Sequence, residues 1–132
     1  MKSKKYLFDT HAFIALCNRQ SVSDKFIKYF DKQEQLGNIL VSAISFWEAA
    51  LLVKKGRLEL EDVELWRIQL FANTGLIFIE PTASEMIKSV QLPDFHRDPF
   101  DRLLIAQALN NKATLVTKDR IIKRYSVPTY WI

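Results

Sequence analysis

The sequence contains very little cysteine, glycine or proline. Its 132 residues include one cysteine, Cys17, together with three glycines and four prolines. A single cysteine cannot form an internal disulfide or supply a cysteine-based zinc site. The scarcity of glycine and proline argues against a collagen-like or linker-like chain. No apolar run approaches the roughly 18 residues of a membrane-spanning helix, so we expect no membrane association.

The rest of the composition is typical of one globular domain. Hydrophobic residues make up 48% of the chain, which is enough for a packed core. The length favours a single domain over residues 1–132. The basic start of the chain reaches Asp9 before any apolar stretch of signal-peptide length, so we expect a cytoplasmic protein. The net charge of +4 hints at a polyanionic partner, although many ordinary proteins share such a charge.

Short apolar runs alternate with longer helical patterns along the chain. Strands are predicted at residues 6–8, 39–43, 76–79, 114–117 and 128–131. Helices are predicted at residues 11–18, 24–34, 46–55, 61–73, 83–91 and 100–111, with a short helix at 120–125 and a polar loop at 92–98. Strands that alternate with helices pair in parallel through right-handed crossovers, which predicts an α/β sandwich.

Four acidic residues lie near the predicted strand ends. Asp9 ends the first strand, Asp119 follows the fourth, and Glu48 and Asp101 lie in the first turns of helices. A parallel sheet can bring all four to one edge, where they would repel one another unless a cation compensates. Carboxylate oxygens are the ligands that Mg²⁺ or Mn²⁺ prefers, and such clusters serve phosphodiester hydrolysis.

Helix capping is the competing interpretation of these acids. Ser45 and Glu48 have the spacing of a capping box, and Asp98 and Asp101 flank a helix start in the same way. Residues 82–85 repeat that spacing without any indication of chemistry, so the spacing alone decides nothing. Asp9 is different because an acid at the end of a buried strand is costly unless it is paired or metal-bound.

The remaining polar and aromatic candidates give weaker signals. His11 and His96 are more typical of solvated or hydrogen-bonded side chains than of a catalytic base. Arg97 and Arg102 flank Asp98 and Asp101 and could either bind phosphate or balance the local negative charge. The helical spacing of three aromatic residues favours core positions over base stacking: Trp47, Trp66 and Phe71. Cys17 is interpreted as buried apolar filling.

Four segments, taken in order, resemble the PIN-domain family and especially its VapC-like ribonuclease toxins from bacterial type II toxin–antitoxin pairs. The segments are LFDTHAFIAL, SAISFWEAALLVKKGRL, LPDFHRDPFDRLLIAQA and ATLVTKD, and they span almost the whole chain. The run from His96 to Arg102 is the most specific of them. The resemblance implies a three-layer α/β/α sandwich with a short parallel sheet of about five strands. It also implies a Mg²⁺- or Mn²⁺-dependent endonuclease acting on single-stranded RNA.

The same resemblance implies roles for individual residues. The four family acids fall on Asp9, Glu48, Asp101 and Asp119. Asp9 and Asp101 would hold the main metal, with the other two as direct or water-mediated ligands. Asp98 is close enough to be confused with Asp101 but better suits the helix N-cap. The expected substrate contacts at the edge of the site are Thr10, Arg97, Arg102, Thr117, Lys118 and Arg120. The resemblance further implies a homodimer and a cognate antitoxin, for which residues 24–73 are the expected docking surface.

Three alternatives compete with this prediction. A haloacid-dehalogenase-type phosphatase requires a second aspartate two positions after Asp9, where the chain has His11. A response-regulator receiver requires paired acids after the first strand and a proline after Lys118, where the chain has Asp119. The third alternative is a non-catalytic PIN fold that binds RNA or protein, against which the four acids argue.

Overall fold

The computed structural model describes residues 4–132 and has a five-stranded sheet at its centre. All neighbouring strands are parallel, in the order β3-β2-β1-β4-β5. The strands are β1 (Tyr6–Phe8), β2 (Ile39–Ser42), β3 (Ile77–Ile79), β4 (Thr114–Val116) and β5 (Thr129–Tyr130). The α-helices are α1 (Thr10–Asn18), α2 (Asp24–Gln35), α3 (Ala43–Lys54), α4 (Val63–Asn73), α5 (Ala83–Gln91) and α6 (Pro99–Asn110).

Alternation along the central strand separates the core into two layers. Tyr6 and Phe8 of β1 face one buried cluster, to which Phe13, Phe26 and Phe30 contribute from α1 and α2. Leu7 between them faces a second cluster, which contains Leu104, Ile105 and Ala108 of α6. Because successive strand residues point to opposite faces, both faces of this sheet are covered by helices. The predicted three-layer α/β/α sandwich with five parallel strands is confirmed.

The strand order places a topological switch next to β1. The chain runs outward from β1 through β2 to β3, then returns to the other side of β1 as β4. In open α/β sheets, ligands bind outside the carboxyl ends of the strands at such a switch. Asp9 follows β1 directly, and Asp119 comes soon after β4, so two of the four predicted acids belong to this crevice.

Several boundaries differ from the predicted ones. Helix α3 begins at Ala43, and its N-cap is Ser42, whose hydroxyl accepts the Ile44 amide at 3.2 Å. The predicted capping box of Ser45 and Glu48 is therefore wrong, and Glu48 lies inside the helix. The helix predicted at 120–125 is a 3₁₀ turn at Ile122–Arg124. The last strand is reduced to Thr129–Tyr130.

Helices α5 and α6 have side-chain caps at their N-termini. The Asp98 carboxylate accepts the Phe100 amide at 2.9 Å, with Pro99 at the first helical position, which confirms the predicted N-cap. Thr82 and Glu85 form a complete capping box at the start of α5. In residues 4–132, no helix is long and apolar enough to cross a membrane.

Candidate metal centre

Asp9 joins β1 to α1 and is 7% exposed. It is the N-cap of α1, and its Oδ1 accepts the Ala12 amide at 2.7 Å. Burial raises the pKa of Asp9 above its ordinary value, although hydrogen bonds from the Thr117 hydroxyl and the Ala12 amide oppose that rise. Asp9 therefore caps α1 through Oδ1 while it also lines the groove at this end of the sheet.

Glu48 reaches the crevice from the second turn of α3. The Thr10 hydroxyl donates a hydrogen bond to Glu48 Oε1 across the sheet edge, and the Ser45 hydroxyl lies 3.1 Å from the same Thr10 oxygen. Burial is the main cause of a raised Glu48 pKa, and the charges of Asp98 and Asp9 raise it further. Thr10 thus orients Glu48. This hydrogen bond takes the place of the predicted capping-box contact between Glu48 and the Ser45 amide.

Asp101 lies in the first turn of α6, in the middle of the acidic group. Its pKa is raised to about 8, first by burial and then by the charges of Asp98, Glu48, Asp9 and Asp119. All four predicted acids are therefore close enough to interact electrostatically. At neutral pH and without a cation, Asp101 is mostly a neutral carboxylic acid.

Asp119 enters the crevice from the loop after β4. Its Oδ1 accepts the amides of Ile121 at 2.8 Å and Ile122 at 3.4 Å, and its own amide donates to the Thr117 hydroxyl. Partial burial raises the pKa of Asp119, but hydrogen bonds from His96 and the two amides outweigh it and leave that pKa below its usual range. Asp119 is therefore ionised at neutral pH.

His96 contacts two of the acids, although its sequence was interpreted as that of a solvated or hydrogen-bonded side chain. Its Nε2 lies 3.0 Å from Asp119 Oδ2 and 3.1 Å from Asp101 Oδ2. Its Nδ1 accepts the amide of Asp98 at 3.1 Å. The local part of this arrangement follows from the two-residue spacing to the N-cap of α6. The contact with Asp119 spans 23 positions, and no local pattern indicates it.

Comparison with known proteins decides the family of this chain. The sequence profile of the PIN domain matches residues 6–128. The chain belongs to the PIN-domain family. It is 35% identical over 103 residues to ribonuclease VapC22 of Mycobacterium tuberculosis, covering 74% of this chain and 78% of that protein. This agrees with the VapC-like motifs of the sequence.

Solved structures show the same PIN fold at low sequence identity. VapBC2 from Rickettsia felis, bound to a DNA fragment from their promoter, matches with a TM-score of 0.66 at 20% identity over 96% of this chain and 98% of that chain. DNA-bound VapBC from Salmonella typhimurium matches with a TM-score of 0.69 at 16% identity, over 97% and 98% of the two chains. These neighbours support the fold assignment.

The side chains of this PIN domain fit a hard divalent cation. One side-chain atom each from His96, Asp101 and Asp119 lies within 4.8 Å of the others. Asp9 and Glu48 adjoin them, because both charges raise the Asp101 pKa. A cation would relieve this repulsion and let Asp101 ionise. The carboxylate oxygens suit Mg²⁺ or Mn²⁺ better than a softer metal.

The predicted substrate contacts of the PIN domain divide into three groups. Thr10 and Thr117 are buried and donate hydrogen bonds to Glu48 and Asp9, so they hold these acids in place and are not available to a substrate. Exposed cations stand at three of the predicted positions: Arg97, Lys118 and Arg120. Arg102 is different because its side chain turns into the protein.

Arg102 anchors the loop that carries His96. Its guanidinium donates to the backbone carbonyls of Pro93 at 2.9 Å, His96 at 3.1 Å and Leu92 at 2.8 Å. The residue is buried, and its donors are used by the loop. We therefore assign Arg102 a structural role and leave it out of the proposed phosphate contacts.

Trp47 corrects another sequence interpretation. It was predicted to face the core, but it is 61% exposed and meets the Phe100 ring edge-on at a centroid distance of 4.7 Å. Trp66 and Phe71 do pack against the buried core, as predicted. Trp47 directly precedes Glu48, and Phe100 directly precedes Asp101, so this aromatic pair lies beside the acidic crevice.

Proposed function

We propose that this PIN domain is a divalent-metal-dependent endoribonuclease that cleaves single-stranded RNA and acts as the toxin of a toxin–antitoxin pair. The observation that carries the proposal is the convergence of Asp9, Glu48, Asp98 and Asp119 on Asp101, whose pKa these charges and its burial raise to about 8. Perturbed carboxylates that converge at a sheet edge are typical of functional sites. The likeness to a ribonuclease in M. tuberculosis supports RNA as the substrate.

In the proposed mechanism, Asp9 and Asp101 would hold the cation, and Asp119 and Glu48 would contribute directly or through water. The cation would supply positive charge that compensates the phosphate and lowers the pKa of the attacking water. Asp101 would be ionised in that state. The Thr10 and Thr117 hydroxyls hold Glu48 and Asp9 in place. In-line attack of water on phosphorus would form the new P–O bond and break the bond to the 3′ oxygen, which takes up a proton, so the products would carry a 5′-phosphate and a 3′-hydroxyl.

A groove beside Asp9 supports entry of a single strand. Its volume is about 360 Å³, and one wall is the exposed side of α1. Lys118 and Trp131 line the other wall, with the Lys118 ammonium 5.4 Å from the Trp131 ring centre. A cation for the phosphate and an aromatic surface for a base are the two elements of single-strand recognition. Single-stranded RNA can place an unstacked base against such an aromatic side chain.

A second groove supports an antitoxin partner. It has a volume of about 240 Å³ between α1, α2 and α4, and its floor is apolar, with charged groups at its rim. The lining residues are Phe13, Leu16, Cys17, Arg19, Asp31, Glu34, Trp66, Leu70, Thr74 and Leu76. Apolar grooves with polar rims are typical binding sites for amphipathic segments. This groove overlaps the predicted docking surface at residues 24–73.

A homodimer is also part of the proposal. Helix α5 exposes three apolar side chains, Met86, Ile87 and Val90, and Leu109 of α6 is exposed as well. The spacing of Met86, Ile87 and Val90 places them on one face of α5, which packs against α6. Exposed apolar patches of this kind mark protein contact surfaces.

An RNA cleavage assay tests the proposal. The wild-type protein is compared with Asp9→Asn and Asp101→Asn on a labelled single-stranded RNA, with Mg²⁺, with Mn²⁺ and with EDTA. Asp94→Asn is the matched control, because this loop side chain is 99% exposed and its contact with Arg102 is long, at 3.7 Å, so it contributes little. We expect each site variant to lose at least about 100-fold in rate, more than loss of an outer-shell partner costs. We expect the control to keep the wild-type rate.

Two results would contradict the proposal in different ways. Cleavage that survives EDTA and both substitutions would exclude a metal-dependent nuclease at this site. Tight RNA binding by the wild type without cleavage of any RNA would instead favour the non-catalytic binding module. For the toxin role, expression should arrest cell growth, and Asp9→Asn should relieve that arrest.

A further inference from the structure

The two ring nitrogens of His96 have different partners. Nδ1 faces the backbone amide of Asp98, and Nε2 faces the carboxylates of Asp119 and Asp101. We propose that His96 is a positioning residue that donates its Nε2 hydrogen to the metal-binding carboxylates and does not coordinate the metal. This inference rests on the proposed function, since it concerns the cation that the four acids are proposed to bind.

The amide of Asp98 fixes the tautomer of the ring. A backbone N–H can only donate, so Nδ1 must present its lone pair to Asp98 at 3.1 Å. A neutral imidazole carries one hydrogen, which this contact assigns to Nε2. A metal ligand must offer a lone pair. The lone pair of His96 is on Nδ1 and already accepts the Asp98 amide, while Nε2 directs a hydrogen at the acids.

The loop around His96 is held by buried side chains, which keep the ring in this position. The His96 amide donates to the Tyr125 hydroxyl at 2.8 Å, and the His96 carbonyl accepts from Arg102 at 3.1 Å. Tyr125 in turn donates to the Pro93 carbonyl at 2.6 Å. Tyr125 and Arg102 are both buried, so the backbone of His96 is held on both sides. A shift of the hydrogen from Nε2 to Nδ1, which would offer the Nε2 lone pair to the metal, would place an N–H against the Asp98 amide.

The Nε2 hydrogen bond holds Asp119 toward Asp101. The two backbone amides that bind Asp119 reach only Oδ1, whereas His96 reaches Oδ2 at 3.0 Å. Without His96, Oδ2 would lose its donor, and the partly exposed carboxylate could rotate away from the crevice. The resulting ligand set contains oxygen atoms alone, which favours Mg²⁺ or Mn²⁺ over Zn²⁺.

The tautomer can be measured directly by NMR with ¹⁵N-labelled histidine. The chain has two histidines, and His11→Gln assigns the His96 signals. We expect His96 to carry its hydrogen on Nε2 in EDTA and to keep it there when Mg²⁺ is added. A switch of that hydrogen to Nδ1 on Mg²⁺ binding would show that Nε2 coordinates the metal, and would overturn the assignment. The tautomer is read on the native His96 of the wild type, and His11→Gln serves only to assign its signals.

Mn²⁺ affinity distinguishes a role of His96 as a hydrogen-bond donor from a role in packing alone. Wild type, His96→Gln and His96→Ala are titrated with Mn²⁺, with folding checked by circular dichroism. The glutamine amide can donate to the same carboxylates, so we expect its Kd to stay within about threefold of wild type. Alanine should raise the Kd about 10–100-fold, the usual cost of losing a partner of a metal ligand.

The outcomes distinguish failure of this inference from failure of the proposed function. A Gln variant as weak as the Ala variant, with intact wild-type binding and RNA cleavage, would overturn the donor role of His96 alone. Equal Mn²⁺ affinity in all three proteins would also overturn it. Absence of saturable Mn²⁺ binding in the wild type would contradict the metal-dependent function and this inference together.

Discussion

Replacing Asp101 by asparagine should stabilise the metal-free protein. The pKa of Asp101 is about 8 in the folded chain, against an ordinary value of 3.8. Because the folded-state pKa lies above the unfolded one, ionisation of Asp101 opposes folding. The penalty is absent below pH 4, grows with rising pH, and is complete above pH 8. Asparagine has a similar shape and no charge in either state, so it removes this penalty.

The size of the effect follows from the displacement of the pKa. Each pH unit above 3.8 corresponds to 1.36 kcal/mol, so the penalty at pH 7 is at most about 4 kcal/mol. Relaxation of the crevice reduces it, and we expect Asp101→Asn to gain roughly 2–4 kcal/mol at pH 7 and less than about 2 kcal/mol at pH 5. Asp9 and Glu48 also have raised pKa values, so the free energy of unfolding of the variant still falls with rising pH, but less steeply than that of the wild type.

Urea unfolding in EDTA at pH 5, 7 and 8 measures this difference. Asp94→Asn makes the same chemical change at a 99% exposed position and should leave the stability unchanged at each pH. With Mn²⁺ at 100 times its Kd, the wild type should gain about 2.7 kcal/mol, and Asp101→Asn should gain much less. A variant that is no more stable than wild type at pH 7, or whose advantage does not grow with pH, would refute this account of Asp101.

Two further predictions concern the supports of the site. Thr10→Val removes the hydroxyl that donates to Glu48, so RNA cleavage should fall about 10–100-fold while Thr10→Ser keeps most of the rate; equal rates in both variants would contradict this role. Arg102→Met leaves several buried carbonyls without a donor and should cost about 3 kcal/mol in urea unfolding. The exposed Arg97→Met should cost under about 0.5 kcal/mol. If Arg102→Met kept full stability and lost only RNA affinity, the anchoring role would be wrong.

The sheet and its acids were predictable because their signals are local. Strand β1 is a short apolar run that ends at a charged residue, and the run around Asp98, Pro99 and Asp101 carries a helix start in its own sequence. Such patterns depend on period and capping chemistry, which neighbouring residues determine. They were sufficient to predict the parallel sandwich and the N-cap at Asp98.

The errors arose where a distant contact decides the outcome. Helix α3 is apolar on nearly all sides, so its sequence does not say which face is buried, and Trp47 was placed inside. Ser42 and Ser45 could each cap a helix at this point of the sequence. In the structure α3 begins after Ser42, and Glu48 contacts Thr10, 38 positions away, and not the Ser45 amide. Arg102 and His96 are likewise fixed by partners from β4 onward and from the preceding loop.

Asp98 and Asp101 are three residues apart, yet their carboxylates have different roles: Asp98 caps α6, and Asp101 has a strongly raised pKa. Asp98 accepts the Phe100 amide at the start of α6, and its charge is the largest cause after burial of the raised Asp101 pKa. The other acids have donors of their own, from the Ala12 amide, the Thr10 hydroxyl, and His96 with two amides. Asp101 Oδ2 lies 3.1 Å from His96 Nε2, but burial and the charges of four neighbouring acids outweigh that contact and raise the pKa of Asp101 to about 8. Asp101 is therefore the acid that stays protonated in the metal-free crevice, and a cation that enters exchanges with its proton.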